Sequence, residues 1–268
     1  MATEIIVVGA LGRMGAEVAN IVLSDNSLKL RACLEYKGHP KAATDYGVCI
    51  GKGELGVPLT DNIDTIDFTN AVVIDFSSPE SSRALFKKAS SKGIKLLICT
   101  TGLTDNDLSL AKDASLHAPV IVSANTSLGV NLLFSITQLV AAKLKNEFDI
   151  EIIEAHHRFK KDSPSGTAKK LGEIIAQEIG LSYDQAIVNG REGIYPEMRN
   201  KNEVGMHAVR GGDIVGDHTV LFAGLGERIE LRHMAHSRTT FARGAVSTAK
   251  WLADKQPGFY TMKDVLGV

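Results

Sequence analysis

Residues 151–168 of the 268-residue chain read EIIEAHHRFKKDSPSGTA and hold its densest set of groups able to do chemistry. Two imidazoles, His156 and His157, stand beside Arg158, Lys160 and Lys161, and Ser163-Pro164-Ser165-Gly166-Thr167 follows at once. The opening EIIEA reads as a strand. SPSGTA reads as a helix start, with Pro164 placed to begin it. Titratable rings, fixed cations and helix N–H groups therefore gather at the C-terminal end of a strand. That arrangement suits a small, multiply anionic substrate that must accept a proton. Adjacent strand residues point to opposite faces, so His156 and His157 need not share a role. No acid or cysteine spacing completes a metal site around them, and zinc is not expected.

A second group lies near the start. Gly9-Ala10-Leu11-Gly12-Arg13-Met14-Gly15 follows one strand run and opens a helical one. The spacing is GxxGxxG. Glycine there lets the backbone turn tightly and approach a pyrophosphate, whose charge meets the helix N-terminus. An ordinary strand–helix turn uses glycine in the same way, but Glu35 lies twenty residues beyond Gly15, at the end of the next strand run. A carboxylate there binds the hydroxyls of an adenosine ribose, so the combination predicts dinucleotide binding. A carboxylate also repels the 2′-phosphate of NADPH. With Tyr36 next and only Arg13 or Lys37 in reach of a phosphate, the residues lean to NADH over NADPH. Thr100-Thr101-Gly102 and Ser123-Ala124-Asn125-Thr126 follow two further strand runs. They fall on the edge where open α/β sheets bind ligands.

The elements that must position these groups come in two patterns. Up to residue 123, strand runs at 4–8, 28–35, 72–76, 95–100 and 120–123 alternate with helical stretches at 13–23, after Pro79 and from Thr104. Repeated βα units predict a doubly wound parallel sheet with right-handed crossovers. Residues 45–67 read as mostly loop with one short strand. Beyond Asn125, helices at 130–145 and 165–179 flank a strand at 150–155, and strand runs at 205–210, 218–223 and 228–233 follow without helices between them. This predicts a second α+β domain on a mixed or antiparallel sheet. Residues 239–254 return to helix and are expected to pack on the first domain. The expected division is 1–126 with 237–268, and 127–236. Arg210, in RGGDIVGDH, is read as a structural ion pair. His233, His236, Arg238 and Arg243 are assigned no chemistry.

Bulk properties exclude several classes. A net charge of −1 gives no general affinity for nucleic acid or anionic membrane. No apolar run approaches a membrane span. A strand begins by Ile5, which leaves no room for a signal peptide. Cys33, Cys49 and Cys99 are odd in number and form no CxxC, arguing against a disulfide framework and for a reducing cytoplasm.

VGALGRMG, DFSSPE, TTG, EIIEAHHRFKKDSPSGTA and RGGDIVGDHTVLFAGLGERIEL together resemble the dihydrodipicolinate (4-hydroxy-tetrahydrodipicolinate) reductases of lysine biosynthesis. The H-H-R-x-K-x-D-x-P-S-G-T pattern is the specific part. The resemblance implies a Rossmann-type domain, a mixed-sheet domain that assembles a homotetramer, and hydride transfer from NAD(P)H to a cyclic dicarboxylate. It implies His156 as general acid/base, Lys160 as proton donor, and His157, Ser165, Gly166 and Thr167 as substrate contacts. It further implies that Gly9, Ala10, Leu11, Gly12, Arg13 and Met14 hold the pyrophosphate and Glu35 the ribose. Cys99, Thr100, Thr101, Ser123, Ala124, Asn125 and Thr126 would line the nicotinamide half. Three positions depart from the pattern: Tyr36 stands where arginine is frequent, Cys99 where glycine is, and Thr126 where an aromatic is. Two rival readings are another nicotinamide-dependent amino-acid or semialdehyde dehydrogenase and a non-catalytic dinucleotide sensor. Neither needs His156 and Lys160 together.

Overall fold

A computed structural model describes residues 2–194 and 197–268. The chain runs β1 (Thr3–Val8), α1 (Arg13–Leu23), β2 (Leu28–Leu34), α2 (Tyr46–Cys49), β3 (Leu59–Thr60), a 3₁₀ turn (Ile63–Thr65), β4 (Ala71–Asp75), α3 (Pro79–Lys92), β5 (Lys95–Ile98), α4 (Asp105–Ser115) and β6 (Pro119–Val122). It continues through α5 (Leu128–Leu144), β7 (Asp149–His156), α6 (Gly166–Ile179), α7 (Tyr183–Ala186), β8 (Ile187–Asn189), β9 (Val204–Arg210), β10 (Gly216–Ala223) and β11 (Arg228–Ala235). It ends with α8 (Thr239–Leu252), β12 (Gly258–Tyr260) and α9 (Met262–Leu266). Two compact units result. One holds the chain up to Leu128 together with Phe241–Gly267, and the other holds Gly129–Thr240. Among the described residues, no helix is long and apolar enough to cross a membrane.

The first unit is a seven-stranded sheet in the order β12-β6-β5-β4-β1-β2-β3, with every pair parallel. Its strands are apolar on both faces, as a parallel sheet covered by helices requires. Period-two alternation divides them between two cores. Ile5, Val7, Val72 and Ile74 pack with Val18, Ala19 and Val22 of α1 and Ala242, Ala245 and Ala249 of α8. Ile6, Val8, Val73 and Leu96 pack with Leu85 and Phe86 of α3 and Ala111 and Ala114 of α4. Helix starts follow local chemistry: Ser78 caps α3 with Pro79 at its first position, and Thr104 and Asp107 form the expected capping box on α4. The segment expected to be mostly loop contains the short strand β3, but also the helix α2. Asp45 makes that helix by accepting the N–H groups of Gly47, Val48, Leu55 and Val57 with one carboxylate.

The second unit is a five-stranded mixed sheet in the order β11-β10-β7-β9-β8. β7 lies antiparallel to β10 and parallel to β9. One face packs Ile150, Ile152, Met206, Val220 and Phe222 against Leu133 and Ala141 of α5 and Leu171 and Ile175 of α6. Side chains on the opposite face are more open, with Ile153 39% and Val209 50% exposed. The short strands β8 and β12 lie at or beside sheet edges. Each takes its order from the neighbour it pairs with, so neither has a strong signal of its own.

Candidate active site

In the first unit, the parallel strands bring the loops after β1, β2, β4, β5 and β6 to one edge. The sheet order reverses between β1 and β4, which is the switch point where such folds bind ligands. Gly9 sits there with φ +73°, and a Cβ on it would stand 2.8 Å from the Phe76 carbonyl oxygen after β4. A Cβ on Gly15 would overlap the Gly9 carbonyl oxygen at 2.1 Å, so α1 lies directly on the loop. Gly12 is the N-cap of α1. No side chain caps this helix, and its first turn contains no acid. α3 and α4, by contrast, are closed by Ser78 and Thr104. An uncapped helix start behind a glycine cradle fits a pyrophosphate.

Glu35 follows β2 and accepts the Leu11 N–H through Oε1 at 2.7 Å, tying the acid to the loop. Tyr46 braces the loop from beneath, its hydroxyl donating to the Ala10 carbonyl at 3.1 Å. Arg13 and Tyr36 are exposed, and Met14 is partly buried against the core. Beyond β4, the buried Asp75 accepts from Ser77, from the Ser82 hydroxyl at 2.5 Å and from the Thr100 hydroxyl at 3.1 Å. Burial pushes its carboxyl up against these bonds. Asp75 thereby joins the loop after β5 to the start of α3. Thr101 is exposed. Cys99 is buried, which raises its thiol well above the usual range and leaves it unreactive. Ser123 donates to the Asn125 carbonyl at 2.8 Å, with Ala124 exposed at the turn. Thr126 is turned inward: its hydroxyl donates to the Phe241 carbonyl at 2.6 Å, and Gly244 makes room for its own carbonyl. This threonine fastens the loop to α8.

In the second unit, β7 places Ile150, Ile152, Glu154 and His156 on the helix-covered face. Glu154 is fully buried. Arg210 of β9 grips it with two bonds, Nη1 to Oε2 at 2.8 Å and Nη2 to Oε1 at 2.7 Å. The Ser165 N–H adds a bond to Oε1 at 3.0 Å, and His156 Nδ1 lies 2.6 Å from Oε2. Burial raises the Glu154 carboxyl, but the hydrogen bonds from Arg210, His156 and Ser165 outweigh it and hold it below the carboxylate range. Burial lowers His156, and Lys160 and Arg210 add to this against the pull of Glu154. His218 of β10 stands edge-on to the His156 ring with centroids 5.2 Å apart, and burial drives it down to about 4.

The remaining expected residues cluster beyond the strand. Lys160 pairs with Asp162 at 2.9 Å. His157 Nδ1 is buried with no hydrogen-bond partner among the described residues. Gly166 and Thr167 open α6. Ser165 stands at the mouth of the same helix. It is the N-cap, 2% exposed, with its hydroxyl held between the Ala168 N–H at 3.2 Å and His218 Nε2 at 2.9 Å. Pro164 lies before that cap, so it does not begin the helix. Arg210 forms the structural ion pair expected of it. Sequence reasoning missed Glu154, His218 and Gly216. The signal for Glu154 was present: in IEIIEAH, alternation puts it on the same face as two isoleucines, where a carboxylate requires a partner.

A parallel sheet with a glycine cradle at its switch point, in one chain with a mixed sheet bearing a charged histidine centre, defines a two-unit pyridine-nucleotide oxidoreductase. Comparison with known proteins agrees. The family described as dihydrodipicolinate reductase, N-terminus, matches residues 3–126, and its C-terminus counterpart matches residues 129–266. The 4-hydroxy-tetrahydrodipicolinate reductase of Aquifex aeolicus is 46% identical over 273 residues, covering 100% of both chains. That of Hahella chejuensis is 44% identical over 266 residues, 99% of each. The solved structure of dipicolinate-bound dihydrodipicolinate reductase from Paenisporosarcina sp. TG-14 shares the fold, with TM-score 0.76 at 24% identity over 97% of this chain and 98% of that one. The chain belongs to the dihydrodipicolinate reductase family.

Proposed function

We propose that the protein reduces 4-hydroxy-tetrahydrodipicolinate to tetrahydrodipicolinate in lysine and diaminopimelate biosynthesis, with His156 and Lys160 managing the proton. Loss of the 4-hydroxyl as water gives a ring carbon conjugated with the imine, and NAD(P)H, when bound, would supply the hydride that adds there. The cradle formed by Gly9, Ala10, Leu11, Gly12, Arg13 and Met14 receives the pyrophosphate. Glu35 keeps one oxygen on Leu11 and offers the other to a ribose. That carboxylate, followed by the uncharged Tyr36, supports NADH as the preferred donor. Cys99, Thr100, Thr101, Ser123, Ala124 and Asn125 shape the nicotinamide edge through their backbone, with Thr126 anchoring it.

The substrate's two carboxylates suit the start of α6 at Gly166 and Thr167, the unpartnered His157 Nδ1, and the cations of the turn after β7. Lys160 releases Asp162 to meet the substrate. The enamine-like species left by the hydride takes its proton from His156 at Nε2 or from Lys160 at Nζ. The carrying observation is His156 itself: a strand-end imidazole held at one nitrogen by a buried carboxylate, with Lys160 near enough to influence its charge. The two units correspond to cofactor and substrate roles, and the substrate unit assembles a homotetramer.

The test is oxidation of NADH and NADPH, followed optically, with substrate generated in place from pyruvate and aspartate semialdehyde by the preceding synthase. Oxidation that depends on the synthase is expected, faster with NADH. His156→Gln and Lys160→Ala should still bind NADH while turnover falls by roughly 10²–10⁴-fold. Full turnover in both variants would remove the catalytic assignment.

A further inference from the structure

We propose that Glu154 and Arg210 are a positioning pair for His156, fixing its proton on Nδ1, and that Gly216 keeps Nε2 uncovered as the one nitrogen that exchanges a proton with substrate. This rests on the reading that His156 acts on substrate.

Glu154 is the centre of this arrangement. Its two oxygens accept four bonds, two from Arg210 and one each from Ser165 N–H and His156 Nδ1. Arg210 is itself fixed by donating to the carbonyls of Asp162 and Val209, both at 2.7 Å. A carboxyl buried alone would be driven to its neutral form, but the guanidinium holds this one ionised. An ionised carboxylate has no hydrogen to donate, so His156 Nδ1 must be the donor. The neutral ring then carries its lone pair on Nε2, and any second proton enters and leaves there.

Gly216 supports the same arrangement from β10. A Cβ at that position would stand 2.9 Å from Nε2 and 3.3 Å from Cδ2 of His156, covering the atom that must be reached. His218, whose strand partner is Glu154, faces the ring edge-on from the same strand and limits its rotation. The charged and titratable groups around His156 are Glu154 on its own strand, Arg210 on β9, His218 on β10 with His233 opposite it on β11, and Lys160 with Asp162 on the following turn. Glu154 alone among them both touches the ring and favours its cationic form.

Long-range ¹H–¹⁵N correlation on the wild-type protein with labelled histidines reads the tautomer directly. The His156 signals are assigned by their loss in His156→Gln. The Nδ1–H tautomer is expected, and the Nε2–H tautomer would overturn the proposal without any variant having to fold. Glu154→Gln then tests the consequence. Its amide has the same shape but no charge, and its NH₂ competes with Nδ1–H for the same bond. Turnover should fall by about 10²-fold with KM for NADH unchanged. The limb of the pH–rate profile belonging to His156 should move to lower pH, because the neighbouring negative charge is gone. In a His156→Gln background the same change should cost almost nothing further. An equal loss in both backgrounds would make Glu154 a structural residue only. If His156→Gln alone kept full turnover, the functional reading would fall, whatever tautomer the spectrum showed.

Discussion

Glu151 and Glu154 lie on the same strand, three residues apart, and face opposite sides of the sheet. Both are surrounded by arginine and histidine. Glu151 accepts two bonds from Arg191, both at 2.9 Å, one from Arg199 Nε at 3.0 Å, and lies 2.7 Å from His207 Nε2. Each cluster also depends on a glycine of a neighbouring strand. Gly205 makes room for the Glu151 carboxylate, since a Cβ there would fall 1.8 Å from Oε2, and Gly216 makes room for the His156 ring. The difference is what the network leaves over. Around Glu151, Arg191 and Arg199 are shared with Glu203 and Asp149, and the network ties the segment after β8 to the open face of the sheet. Around Glu154, the four bonds converge on the buried carboxylate, and His156 keeps Nε2 for the proton step proposed above. Both faces set a carboxylate among arginine and histidine. Which atom stays unengaged separates a structural clamp from a catalytic support.

That contrast can be broken by truncation. Glu154→Ala leaves Arg210 without its partner beside the start of α6 and should lower unfolding stability by about 3–5 kcal/mol. Glu151→Ala leaves arginines that retain other acids and partial access to water, and should cost about 1 kcal/mol. Urea unfolding of both measures this, and equal losses would remove the distinction. Glycine substitution sharpens it next. Gly216→Ala should reduce kcat by about 10-fold, consistent with the 1–3 kcal/mol of overpacking such a contact brings. Gly205→Ala should lower stability by a similar amount and leave kcat unchanged.

Acid titration gives the most graded effect. His218 falls from its ordinary 6.5 to about 4 because burial disfavours its charge. Its contribution is therefore complete above pH 6.5 and lost as pH falls toward 4. On the other face, burial opposes the shift of Glu151, but bonds from Arg191, His207 and Arg199 prevail and hold it at about 2 against an ordinary 4.5. Its contribution is complete above pH 4.5 and lost as pH falls through 2. Each amounts to roughly 1–3 kcal/mol. Stability measured against pH for the wild type, His218→Asn and Glu151→Gln should show the two losses in these separate windows. A single shared window would mean that the two faces titrate as one network.

Much of this molecule was legible in one dimension, and the failures have physical causes. The parallel strands were readable because residues buried on both faces form continuous apolar runs. The GxxGxxG loop and Glu35 were readable because tight turns and strand-end acids have fixed spacing. α2 was missed because its cap, Asp45, is satisfied by N–H groups up to twelve residues away. β12 was missed because three residues pair only after β6 has been placed beside them. Ser165 is read as a substrate contact from its place at a helix start, and the partner of its hydroxyl was not readable. The structure engages that hydroxyl with His218, fifty-three residues later.

The pattern of strands and helices, the spacing of the glycines after β1, and His156 with Lys160 beyond the end of one strand are all written in the order of residues. These depend on period, spacing and local conformation, which are properties of neighbouring residues. Which nitrogen of His156 is held and which is left open depends on the fold. The deciding contact joins Glu154 to Arg210 across fifty-six residues, through the pairing of β7 with β9. A proton's position depends on the charges that folding brings around it, and no local pattern encodes that.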